Sequence, residues 1–171
     1  MMENEVGKKS VLLTFGRASL LYDIRNAAYI EGHVMPSEAE HSRHVVTDIG
    51  EEGNVDRVTR VMDIAVSQSR ELLYPFAKHA IEREVLDDRF KERNSYGILL
   101  QVPEDFSQTT LTLLERLIHE YIVCRVMADW LSITNPAKSE VWADKAMRCE
   151  SEIRVRVHSR SVRTRIKGHW I

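Results

Sequence analysis

At 171 residues and 43% hydrophobic, the chain is long enough for one domain whose core needs neither metal nor disulfide. Its formal charge of −2 hides an asymmetry: from Ile153 onward there are six basic residues and no acid, so the preceding 152 residues hold 18 basic against 26 acidic residues, a net −8. No run approaches the roughly 20 uninterrupted apolar residues of a membrane span, and the N-terminus lacks the roughly 7 to 15 apolar residues of a signal peptide, so a cytoplasmic protein away from membranes is expected.

Residues 1–10 read as a polar, mobile end, and Val11 to Phe15 as a short strand before Gly16. From Ala18 to Ile30, Leu20, Leu21, Ile24, Ala27 and Ala28 keep helical spacing, with Gly32 and Pro36 as the stop. Ser37 and Glu40 have the form of a capping box for a short helix ending near Thr47 or Asp48. The polar run at 50–54 then breaks the chain, and Asn54 is expected to cap a longer helix. Along it Val55, Val58, Met62, Ala65, Leu72, Leu73 and Phe76 recur on one side, Ser69 falls on the same line, and Pro75 should kink or interrupt the helix.

A strand-containing excursion occupies 82–103. Tyr96, Ile98, Leu99, Leu100 and Val102 predict a strand at 96–102, paired either with Glu84 to Leu86 as a hairpin or with Val11 to Phe15. The stretch from Phe106 to Pro136 is the longest apolar-periodic run. Leu111, Leu114, Leu117, Ile118, Tyr121 and Ile122 form one face, and Leu113, Val123, Cys124, Met127 and Leu131 widen it beyond one stripe. Ser107 or Thr109 is the candidate cap, and Asn135 before Pro136 the stop. A returning helix is expected from near Ser139, antiparallel after a connection of four or five residues, with Trp142, Ala146, Cys149, Ile153 and Val157 facing inward. Beyond about Arg160, the alternation of Val162, Thr164 and Ile166 with Arg163, Arg165 and Lys167 suits an extended arm. The fold class is therefore mainly α, a helical bundle with a small β-hairpin or short strands. A single helical domain spans 11–160 and a basic C-terminal arm spans 161–171.

Motifs that would name a chemistry are scarce. The seven glycines form neither GxGxxG nor GxxxxGK[ST], and GxSxG is absent. His41 and His44 lie one helical turn apart near Glu40 and Asp48, a conceivable metal face that lacks a companion ligand; a solvated polar face is the better reading. His119 and Glu120 interrupt the apolar helix, where a histidine satisfied by neighbours is set against a general base. Arg125 and Asp129 have the spacing of a structural ion pair. Cys124 and Cys149 have no metal-ligand spacing and read as reduced, buried thiols. No cofactor, no metal and no catalytic residue is expected. The candidate contact residues for a partner or nucleic acid are Arg154, Arg156, Arg160, Arg163, Arg165, Lys167 and Trp170: cations for phosphate or an acidic surface, and an indole to stack or anchor.

The order of these elements resembles the small helical connector, or adaptor, proteins that join the portal of a tailed-phage capsid to its tail. The likeness rests on the long helix at 54–80, the excursion at 82–103, the apolar helix through LIHEYIVCRVMADWL, the returning helix from Val141 to about Val157 and a terminus ordered on assembly. It covers about residues 54–165, and the helical region at 18–48 is an addition to that pattern. The resemblance implies a non-catalytic, ring-forming virion subunit of a phage or prophage, a homo-oligomer with portal or tail proteins as partners. A nucleic-acid-binding accessory protein working through the basic arm is the second expectation. A metal-dependent enzyme built on His41, His44 or His119 is the third.

Overall fold

The computed structural model describes residues 7–36, 38, 40–81 and 94–158. Within them lie two strands, β1 (Lys8–Gly16) and β2 (Ser95–Pro103), and six helices: α1 (Arg17–Val34), α2 (Glu40–Thr47), α3 (Glu52–Leu72), α4 (Tyr74–Ile81), α5 (Gln108–Thr134) and α6 (Pro136–Val157). A 3₁₀ turn, Asp48–Gly50, joins α2 to α3. The chain is mainly α, as its periodicities predict.

Helix α5 is about 40 Å long at 1.5 Å per residue. The Ser107 hydroxyl accepts from the Thr110 amide at 3.4 Å and caps its start. Buried residues occur around most of its circumference, from Leu111 and Leu114 through Val123, Cys124 and Val126 to Trp130 and Leu131. Helices α1, α2, α3 and α6 and strand β1 all touch it, the contact with α6 being the most extensive. Burying each large apolar side chain of this kind contributes about 1.5–3 kcal/mol, so covering α5 is the main reason for the other elements to assemble.

The strands choose the long-range partner. β1 and β2 run antiparallel with Leu13 opposite Ile98 and Phe15 opposite Tyr96. One face of this ribbon, including Leu13, Phe15, Tyr96, Ile98, Leu100 and Val102, enters the core, whereas Leu12 and Leu99 lie outward. Strand β1 begins at Lys8, so residues 8–10, read as part of a mobile end, are paired backbone. The alternative partner, Glu84 to Leu86, lies outside the described residues.

Several local expectations are corrected. Glu51 rather than Asn54 stands at the N-cap of α3; Asn54 lies within the first turn, where its Nδ2 donates to the Asp48 carbonyl at 2.8 Å. The interruption near Pro75 falls at Leu73, after which α4 starts with Pro75 in its first turn, where a missing N–H costs no helical bond. For the same reason α6 begins at Pro136 instead of near Ser139, and Asn135 alone separates it from α5. Ser139 closes the helical hairpin, its hydroxyl donating to the Ala128 carbonyl at 2.8 Å. Ser37 of the expected capping box lies outside the described residues.

Gly32 does not stop α1 but lies inside it, buried against α2. An added Cβ would meet Thr47 Cγ2 at 2.7 Å and the Arg43 carbonyl at 3.2 Å. Gly53, in the first turn of α3, has nothing within 4 Å of such an atom. Gly32→Ala should therefore destabilise the protein by about 1–2 kcal/mol despite the better helix former. Gly53→Ala should be neutral or stabilising by about 0.5 kcal/mol. Urea denaturation of the two variants beside the parent checks both signs.

Candidate functional site

Polar groups inside the helical layers are spent on holding them together. Trp130 Nε1 donates to the Val46 carbonyl at 2.9 Å and fixes α2 on α5. Trp142 Nε1 donates to Glu31 Oε1 at 2.9 Å, joining α6 to α1, and Lys138 Nζ lies 3.6 Å from the other oxygen of that carboxylate. Ser69, fully buried in α3, donates to the Ala65 carbonyl at 2.8 Å. The Tyr121 hydroxyl donates to Gln68 Oε1 at 3.0 Å, tying α5 to α3.

The residues considered for catalysis take part in the same framework. His119 Nε2 sits 2.7 Å from Asp23 Oδ2 of α1, a satisfied histidine at a helix contact. The partner of Asp129 is Arg57 of α3 rather than Arg125. Nε reaches Oδ2 at 2.9 Å and Nη2 reaches Oδ1 at 3.2 Å, a forked pairing better matched to a carboxylate than the i,i+4 arrangement expected. That hydrogen bond, with the Asp129 charge, raises the Arg57 pKa further above its ordinary value.

A depression of about 360 Å³ between α1 and α2 is lined by Tyr29, Gly32, His33, Glu40, Arg43, His44 and Thr47. His44 reaches it together with Glu40, while His41 is not among the lining residues. Arg43 Nε donates to the Gly32 carbonyl at 3.1 Å, and the Tyr29 and His33 rings lie 4.2 Å apart. Among the described residues no three His, Cys, Asp or Glu side chains converge as a metal site would require.

Of the basic residues singled out in the sequence, Arg154 and Arg156 belong to α6 and pair with acids one turn back. Arg154 donates to Glu150 at 2.8 Å, and Arg156 lies 3.6 Å from Glu152. Arg160, Arg163, Arg165, Lys167 and Trp170 lie outside the described residues. The two groups are thus not shown as one surface, and the two arginines that are described serve their own helix.

What the sequence reading missed is apolar and faces outward. On α6, Val141, Met147 and Val155 are exposed, with Met147 at 57% and Val155 at 61%. The last two flank a shallow groove of about 610 Å³ together with Asp144, Arg148, Ser151 and Glu152. On α1, Tyr22, Tyr29, Ile30 and Val34 are exposed, Tyr22 at 71%. The signal was available, since these residues are apolar but out of phase with the inward positions of their helices. Among the described residues no helix is long and apolar enough to cross a membrane.

Burial pushes the Tyr121 phenol above its ordinary value, with smaller opposing effects from Arg125 and Arg154 and a reinforcing one from Glu150. The neutral phenol is favoured in the folded state, so the stabilisation is complete below the ordinary value of 10.0 and is lost as pH rises through the higher folded value. Denaturation midpoints measured from pH 8 to about 11 should fall more steeply for the parent than for Tyr121→Phe, which lacks the titrating group. No family model, curated protein or solved structure matches this chain.

Proposed function

We propose that this chain is a non-catalytic assembly subunit that associates with further copies of itself into a ring, as a head-to-tail connector of a tailed phage does, with portal or tail proteins as its neighbours. The observation that carries the reading is the presence of two unlike apolar surfaces on one chain. One is the aromatic face of α1 with Tyr22, Tyr29, Ile30 and Val34; the other is the Met147 and Val155 face of α6, interspersed with Asp144, Arg148 and Glu152. Exposed apolar side chains grouped on a helix face mark interaction surfaces, and Met and Tyr are enriched in such interfaces. Two different surfaces that meet head to tail generate a ring when the rotation closes, whereas a single self-complementary surface gives a dimer. The polar residues of the helical layers support the same reading, because His119, Asp129 and Glu31 already have structural partners.

The expected result is a concentration-dependent oligomer of defined size by mass photometry. Met147→Glu combined with Val155→Asp should weaken association by about tenfold or more while leaving the far-ultraviolet circular dichroism unchanged. A parent chain that stays monomeric at every concentration, or a double variant that assembles as well as the parent, would contradict the reading.

The charge asymmetry favours a second reading, a nucleic-acid-binding accessory protein acting through the arm. Because Arg154 and Arg156 are paired within α6, this reading relies on Arg160, Arg163, Arg165 and Lys167, with Trp170 as a stacking group. It requires DNA binding that weakens steeply with salt and disappears when residues 159–171 are deleted. Binding retained by the deletion variant, or insensitive to salt, removes it.

A further inference from the structure

The two strands of the β1–β2 ribbon have unequal outer edges. Their ladder keeps one register from Lys8 opposite Pro103 to Gly16 opposite Ser95. Two backbone bonds continue that register past its ends, from the Glu104 amide to the Gly7 carbonyl at 2.9 Å and from the Arg17 amide to the Asn94 carbonyl at 3.0 Å. In an antiparallel pair, residues that exchange bonds alternate with residues whose N–H and C=O point away. Because Gly7 and Arg17 bond across the ladder, the odd-numbered residues of β1 face β2. Ser10, Leu12 and Thr14 therefore turn their backbone groups outward, and Gly97, Leu99, Gln101 and Pro103 do so on the far side of β2.

The edge of β2 is closed to a further strand. Pro103 has no N–H to donate, the Gly97 carbonyl accepts from Arg70 Nη2 at 3.2 Å, and α4 packs against this strand. The edge of β1 has no such device. Among the described residues nothing bonds the outward backbone groups of Ser10, Leu12 and Thr14. The run SVLLTF at 10–15 holds no charge and no proline. Leu12 is 62% exposed, and Leu99, directly opposite it in the ladder, is 43% exposed. An open, uncharged edge beside exposed leucines is a template for another strand.

We propose that the outer edge of β1 pairs with the same edge of a second copy, antiparallel about a two-fold axis at Leu12, so that two ribbons become one four-stranded sheet. In that register Leu12 lies opposite Leu12 of the other copy and Ser10 opposite its Thr14, and the outward groups of each pair face one another. Leu99 and Leu12 then continue into Leu12 and Leu99 of the other copy as one apolar row, covering the two leucines that the ribbon leaves exposed. Lys8 and Lys9 set the direction. A parallel pairing would put them beside their own counterparts, whereas the antiparallel one puts them beside Gly16 and Phe15 at opposite ends of the interface. The same charges turn away the basic arm as the added strand, because Arg163, Arg165 and Lys167 would extend an edge that already begins with two lysines.

This interface does not rest on the ring reading, whose surfaces lie on α1 and α6, and it is measured apart from them. Full-length chain carrying Met147→Glu and Val155→Asp should still form a dimer in sedimentation velocity. Adding Leu12→Lys or Leu12→Glu to it should raise the dimer dissociation constant about tenfold or more, because the axis sets each new charge against its own copy. An equimolar mixture of the two should regain association as a heterodimer. In the parent chain, amide exchange at Ser10, Leu12 and Thr14 should slow as concentration rises, while Leu13 and Phe15, bonded to β2, stay protected throughout. A Met147→Glu and Val155→Asp chain that is monomeric at every concentration overturns the proposal and leaves the ring reading untouched. Dimers indifferent to Leu12→Lys, a mixture that associates no better than its components, or edge amides indifferent to concentration overturn it as well. Deleting residues 159–171 should leave the dimer intact; its loss would assign the edge to the arm and overturn pairing between two β1 strands.

Discussion

The constraint on which this structure depends is that α5 is apolar around most of its circumference. A helix with one apolar stripe needs one neighbour, but a helix with Leu111, Leu114, Ile118, Tyr121, Ile122, Val123, Cys124, Val126, Met127, Trp130 and Leu131 buried needs a sleeve. Helices α1, α2, α3 and α6 and strand β1 can be understood as pieces of it. Helix α6 returns along α5 after a single connecting residue, α3 and α1 lie alongside, and α2 is fixed by the hydrogen bond from Trp130. The β1–β2 ribbon adds its inner face near the N-terminal end of α5, where Lys9 Nζ donates to the Phe106 carbonyl at 3.0 Å. A two-stranded ribbon is marginal alone, so its stability is borrowed from this packing.

The same constraint explains why polar residues of the central helix are paired with side chains of the helices that cover it. A polar group beside a large apolar surface costs free energy unless it is matched, and three of them here have found a match on a covering helix. Tyr121 meets Gln68 of α3, His119 meets Asp23 of α1, and Asp129 meets Arg57 of α3. These contacts tie α1 to α5 at one place and α3 at two, and so fix the register of those layers. The forked Arg57–Asp129 pair is exposed, and a surface ion pair of this kind is worth under about 1 kcal/mol, so its contribution is to orientation more than to stability.

How much of this was legible in the sequence depends on the range of the interaction. Periodicity located α5, α3 and α6, and the β-rich run located β2, because those signals are local and repeated. The Ser107 cap and the Asn135 stop were also readable, since each follows from a residue and its immediate neighbours. Partner choice was not. Arg125 and Asp129 have ideal spacing on one helix, yet Arg57, 72 residues away from Asp129, takes the carboxylate because α3 delivers a better-aligned guanidinium. Gly32 looked like a helix stop because a glycine near a proline usually is one, while its real cause is the close passage of α2, a tertiary fact. Pro136 was read as a separator when it is the first residue of the next helix.

The structure also redraws the boundary between the acidic body and the basic tail. Arg154 and Arg156 count toward the tail by position, but Glu150 and Glu152 neutralise them within α6. The division therefore falls after His158: residues 1–158 hold 20 basic against 26 acidic residues, and Arg160, Arg163, Arg165 and Lys167 follow with no acid. Four cations concentrated in eight residues attract an opposite charge chiefly within a Debye length of about 8 Å, and by its sign more than by its detailed shape. The exposed faces of α1 and α6 act in the opposite way, since burying Tyr22 or Met147 rewards close complementarity and is nearly indifferent to salt. The two kinds of surface are therefore separable experimentally, because only the attraction of the cations is screened by ions.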